Sequence, residues 1–133
     1  MNWEYVKTLK SANLIDEFES LVGYEFPGDF KECVMQYNGG YPEREAFDTD
    51  TTKERVFNHL LSFNKEDIST IWKTNEGHIE GLPDKYVVFA DDPFGNLICF
   101  DKDNDNVIFW NHEDESVEHI ANTFTELLDK LYE

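Results

Sequence analysis

A chain of 133 residues fits one domain, residues 1–133, and leaves little room for two. With 40% apolar and 15% aromatic residues it holds enough core material to exclude disorder. Its 29 acidic against 11 basic side chains give a formal net charge of −18, which repels phosphate backbones and anionic lipid, argues against direct nucleic-acid or membrane binding, and attracts a basic macromolecule, with solubility alone as the plainer alternative.

Met1 to Lys10 carries Trp3, Glu4 and two lysines and lacks the apolar stretch of a signal peptide. Residues 11–22 read as a helix: Ser11 or Asn13 supplies the cap, Ile15, Phe18, Leu21 and Val22 recur at helical spacing, and Gly23 stops it. Pro27 opens a second helix with Asp29 near the positive end of its dipole. Its inner face carries Phe30, Val34 and Tyr37 with Cys33 beside them, and Asn38-Gly39-Gly40 ends it. The two helices form a hairpin.

Residues 41–55, with Asp48, Thr49, Asp50, Thr51 and Thr52 close together, suit a loop or a weak edge hairpin. Val56 to Phe63 is apolar enough for a strand, and Lys65 to Asn75 reads as a helix with Ile68, Ile71 and Trp72 on one face. Gly77 and Gly81-Leu82-Pro83 break the chain.

Tyr86–Ala90 is a continuous apolar run, as in a central strand, and is far too short to span a membrane. Turns at residues 91–96 and 101–106 separate it from strands at Leu97–Phe100 and Val107–Trp110. Acidic Glu113–Glu115 precede a short strand at Val117–Ile120. Asn122 or Thr123 then caps a last helix with Phe124, Leu127, Leu128 and Leu131 inward. Strands joined by such short turns form an antiparallel meander, and helices before and after it predict an α+β fold.

No motif asks for a cofactor, a metal or a catalytic constellation. Asp101, Asp103 and Asp105 alternate as in a calcium loop, but Asn106 and His112 stand where an EF-hand needs glycine and glutamate, so a solvated turn is the better reading. Asp91 and Asp92 point to opposite faces of a strand, and one of them caps the turn. His59, His78, His112 and His119 lack metal-site spacing. Cys33 and Cys99 sit in apolar surroundings and read as free, buried thiols of a reducing, cytoplasmic compartment. There is no Gly-x-Ser-x-Gly, no phosphate-binding loop and no dinucleotide fingerprint, so the chain reads as a binding protein and not an enzyme. The residues expected at a partner interface are Tyr41, Glu43, Glu45, Asp48, Asp50, Asp92, Phe94, Glu113, Asp114 and Glu115, aromatic anchors among carboxylates. Trp3, Phe47 and Trp110 are further aromatic candidates, each with a core role as the plainer alternative.

Two stretches together resemble the SUKH superfamily, which includes a fungal cell-wall regulator and many bacterial immunity proteins. One runs from Ile15 through Phe26-Pro27 to Asn38-Gly39-Gly40. The other comprises Leu82-Pro83-Asp84, Phe89-Ala90-Asp91-Asp92, Gly95-Asn96, Phe100-Asp101, Val107 to Glu113, and Ala121 to Phe124. The resemblance implies a mostly antiparallel sheet with flanking helices. It also implies an immunity protein that neutralises a polymorphic toxin, often a nuclease, by binding it. A regulatory adaptor that binds a cellular protein is the alternative. The signature residues themselves read as turn and core positions, and the acidity adds weight to a basic toxin as partner.

Overall fold

The computed structural model describes residues 1–133. Along the chain lie β1 (Trp3–Glu4), α1 (Asn13–Val22), α2 (Gly28–Tyr37), β2 (Tyr41–Pro42), β3 (Ala46–Phe47), β4 (Arg55–Val56), β5 (His59–Leu60), α3 (Ile71–Asn75), β6 (Tyr86–Asp91), β7 (Leu97–Asp101), β8 (Val107–Trp110), β9 (Val117–Ala121) and α4 (Phe124–Lys130). Strands β5 to β9 form one antiparallel sheet in sequence order, and β1–β2 and β3–β4 form two small antiparallel pairs. This is the α+β arrangement that the sequence predicts, with its N-terminal helical hairpin and C-terminal helix.

The meander follows from its apolar runs. Strand β6 slips register between Val88 and Ala90, so Phe89 is an extra residue. Its ring stacks on Phe100 of β7 with centroids 4.4 Å apart. Phe30 of α2 meets both rings and Phe124 of α4 edge-on at 5.1 to 5.2 Å. Phe18 of α1 joins through Phe26 and Phe63. The helices thus cover one face of the sheet with interlocked aromatic rings. On the exposed side of β6, β5 reaches only Ala90 and Asp91. The Asn75 side-chain amide takes both backbone groups of Val88, at 2.9 and 3.0 Å, and replaces a missing strand residue there.

Helix caps agree in part with expectation. The N-cap position of α1 is Ala12, which makes no side-chain cap, and Ser11 before it only accepts from the Asn13 N–H; Gly23, at φ +67, closes the helix as expected by donating to Glu19 O. Thr123 caps α4, accepting from the Glu126 N–H. Pro27 stands just before the first residue of α2 instead of inside its first turn. Leu21, expected inward, is exposed. It lies about 90° around the helix from the centre of the stripe formed by Ile15 and Phe18.

The middle of the chain departs further. Of the loop or weak edge hairpin expected over residues 41–55, a short antiparallel pair forms, β3–β4, whose second strand runs on to Val56. The single strand expected over 56–63 is broken, because this segment serves several neighbours. Phe57 donates to Glu45 O, Leu60 to Gly40 O, Leu61 to Phe89 O and Ser62 to Ser69 O. The helix expected from Lys65 begins only at Ile71, after the Thr70 cap. Before it, Ser62 and Asp67 bond each other and the Asp67 N–H bonds Asn64 O, a local network that competes with helix. Ile68, expected inside, is 93% exposed as a result.

Asn38-Gly39-Gly40 acts as a clasp. The buried Asn38 amide donates to Lys7 O and Ser62 Oγ and accepts from the Phe63 N–H. Gly39 has φ +72, and a Cβ on Gly40 would meet Tyr37 O at 2.8 Å.

Candidate functional site

Strand register places His59, Asp91, Leu97, Trp110 and Val117 in a row across all five strands of the sheet. The turns at residues 92–96 and 111–116 therefore leave the sheet at the same end. Asp92 is buried, and Oδ1 accepts from the Phe94 and Asn96 N–H groups while Oδ2 accepts from Asn96 Nδ2. Asn96 Oδ1 in turn accepts from the His112 backbone at 3.0 Å and from its Nδ1–H at 2.7 Å. This chain of bonds binds the two turns side by side and holds Phe94 outward, 68% exposed. Glu113, Asp114 and Glu115 stand next to it in solvent. The Asp114 carboxylate is held below its usual range by bonds from Ser116, and a Cβ on Gly81 would fall 2.5 Å from Glu115 Cδ.

Residues 41–55 wrap this end from the β5 side to the β9 side. Tyr41 lies against His59 with ring centroids 4.8 Å apart, and Glu43 and Glu45 follow it, exposed. At the far side the Asp50 N–H donates to His119 O, and Asp50 Oδ1 accepts from the His119 N–H. Asp48 accepts from the Tyr132 hydroxyl and the Glu54 N–H, which lower its carboxyl. Beneath this loop, Glu118 accepts from Thr49, Thr52 and Arg55, whose guanidinium lies 4.3 Å from the Phe109 ring centroid. Burial alone would raise Glu118, but these bonds prevail and its carboxyl lies below the usual value.

The expected interface residues thus divide three ways. Tyr41 lies against His59 at the β5 edge of this end with Glu43 and Glu45 exposed after it, and Phe94 and Glu113–Glu115 are exposed on its two turns. Asp48 and Asp50 flank it beside β9. Asp92 does not reach the surface, and it fulfils instead the turn-capping role expected of one of the paired aspartates. Trp3 is half-buried against Tyr37, and Phe47 and Trp110 are core.

Beside the rim lies a cleft of about 500 Å³ whose wall includes Lys7, Tyr41, His59, Ser62, Asp67 and Ile68. Tyr5, 72% exposed at φ +56, sets its ring perpendicular to Tyr41 at 5.6 Å. The His59 Nδ1–H donates to Leu60 O at 2.7 Å, and Nε2 faces Asp91 Oδ1 at 3.5 Å. Burial raises the Asp91 carboxyl, with His59 partly opposing. Sequence reasoning did not assign Tyr5 and Ile68 to a binding surface. A positive φ at tyrosine and a helix replaced by turns leave no periodic trace.

The remaining candidates have structural partners. Asp101 accepts from the Asp103 N–H and Asp105 from the Tyr24 hydroxyl, whose pKa burial and Asp105 push upward. Both cysteines are free and buried, with the Cys33 thiol pushed up to about 12. No group of three or more His, Cys, Asp or Glu side chains is placed to hold a metal ion, and no helix is long and apolar enough to cross a membrane.

An antiparallel sheet backed by helices, with a rigid rim of aromatic and acidic side chains at its turn ends, offers the chemistry of protein recognition. The chain belongs to the SUKH_6 family, described as SMI1-KNR4 cell-wall, which it matches over residues 12–128. It is similar to the SPbeta prophage-derived uncharacterized protein YokK of Bacillus subtilis (strain 168), with 26% identity over 93% of this chain and 76% of the relative. The family match spans the helical hairpin and all five strands of the main sheet, and Tyr5 lies outside it.

Proposed function

We propose that this chain is an immunity protein that binds and neutralises a cognate protein toxin, a basic nuclease domain, by occluding it with the acidic rim. It acts in the cytoplasm, by binding and not by catalysis. What supports the reading is the exposed Phe94 on the turn closed by Asp92, with the acidic Glu113–Glu115 turn leaving the same end of the sheet and Tyr41, followed by exposed Glu43 and Glu45, lying against His59 of its edge strand. Asp48 and Asp50 extend the acidic surface. Carboxylates steer a cationic nuclease groove toward the rim, and the aromatic rings supply the contact area that holds it. Asp92 contributes by positioning Phe94. A prophage-derived relative is in keeping with a role in conflict between genetic elements.

The test is capture with tagged protein from native cells at low and moderate salt, followed by co-expression of the captured protein. A basic toxin domain released as salt rises, whose toxicity the wild-type chain relieves and Phe94→Ala relieves less, supports the reading. Recovery of a housekeeping complex favours a second one, a regulatory adaptor using the same rim. The cell-wall description of the family speaks for that alternative.

A further inference from the structure

We infer that the cleft between Tyr41 and Asp67 is an arginine-reading pocket, which takes a guanidinium side chain from the protein partner. The inference rests on the proposed reading in that the partner is basic. Three features select this occupant. The first is aromatic: Tyr41 lines the cleft, and Tyr5 sets its ring perpendicular to Tyr41, held outward by a left-handed backbone conformation that a bulky residue adopts at a cost. Planar guanidinium groups lie favourably on such rings.

The second is a carboxylate. Asp67 Oδ2 accepts from Ser62 Oγ at 2.6 Å, which fixes the group in the wall, and Oδ1 takes no hydrogen bond within the chain. A fixed carboxylate with a spare oxygen suits the forked donors of arginine better than the point charge of lysine. The third is local charge. Glu66 and Asp67 line the cleft against Lys7, and Asp91 stands behind its His59. Lys10 is already paired with Glu66, and the Lys7 stem packs over Gly39. Ile68, 93% exposed at the edge of the cleft, offers apolar surface to the arginine stem.

The experiment is a titration of the ¹⁵N-labelled full chain with N-acetyl-arginine methylamide, beside its neutral citrulline isostere and the lysine analogue. Saturable shifts confined to Lys7, Tyr41, His59 and residues 66–69 are expected with the arginine probe, and none with citrulline. Affinity should fall about fivefold in Tyr41→Ala and in Asp67→Asn. The ¹⁵N spectrum itself reports whether each variant is folded. If Tyr41→Ala is not, Tyr5→Ala tests the same aromatic wall from an exposed position. Shifts scattered over the whole acidic surface, or citrulline binding equal to arginine, would overturn the pocket. Equal binding of the lysine analogue would overturn the guanidinium assignment. No toxin enters this titration, so its failure leaves the immunity reading untouched. Its success without a captured toxin leaves the pocket in an adaptor.

Discussion

Two positions separate Asp92 from Phe94, and their burial is opposite. Asp92 is enclosed with three donors on its carboxylate, so Asp92→Ala should cost about 2 to 3 kcal/mol, read as a lower urea midpoint at unchanged slope. Phe94→Ala should change stability by no more than about 0.5 kcal/mol, yet weaken partner binding at least about tenfold in calorimetry. Glu118 gives a pH signature. Its folded carboxyl lies below the ordinary 4.5, so its bonds to Arg55, Thr49 and Thr52 stabilise the fold above that value and are lost as pH falls through the lowered one. The stability gap between wild type and Glu118→Gln should therefore narrow on acidification below about pH 4.5, measured by urea unfolding at a series of pH values. At this scale sequence identifies the turn-forming pair Asp91-Asp92. Choosing Asp92 as the cap needs the register, which turns Asp91 toward His59.

Among the elements, α1, α2, α4 and β6 to β9 are legible because each is decided by its own neighbours in sequence: stripes at helical spacing, capping threonine, apolar runs and Gly or Asp turns. The segment 56–75 is not, because its backbone groups are claimed by distant parts of the chain, Gly40, Glu45 and Phe89 among them. The contrast is measurable within one segment. Ile71→Ala, in the core, should cost about 2 to 4 kcal/mol, whereas Ile68→Ala should cost no more than about 0.5 kcal/mol. Equal losses in chemical denaturation would restore the longer helix. Asn75→Ala should loosen the open side of β6, since it removes both bonds to Val88. Faster hydrogen exchange at the Val88 amide, with β8 unchanged, is the expected sign.

For the whole molecule, a formal charge of −18 acts at a distance that no single contact does. If the partner is basic, its association rate should drop about tenfold or more between low and high salt in stopped-flow mixing, while dissociation changes little. A flat salt profile would reduce the acidity to solubility. Charge and aromatic content already point to a protein partner from the sequence. The placement of the turns does not follow from them: Phe94 and Glu113 are far apart in the chain, and the sheet register brings their turns to one end, where Tyr41 lies against His59 of the edge strand.

Each rim turn is closed largely by its own side chains, Asp92 over residues 92–96 and Asn111 with Asp114 over residues 111–116, and the strands between them keep the register. The tips are therefore interchangeable parts. Phe94 and the Glu113–Glu115 stretch can be rewritten without renegotiating the core and, if the proposed rim is the interface, with a change in whom it recognises. Grafting a foreign turn that keeps the Asp92–Asn96 closure should transplant specificity while the melting temperature barely moves.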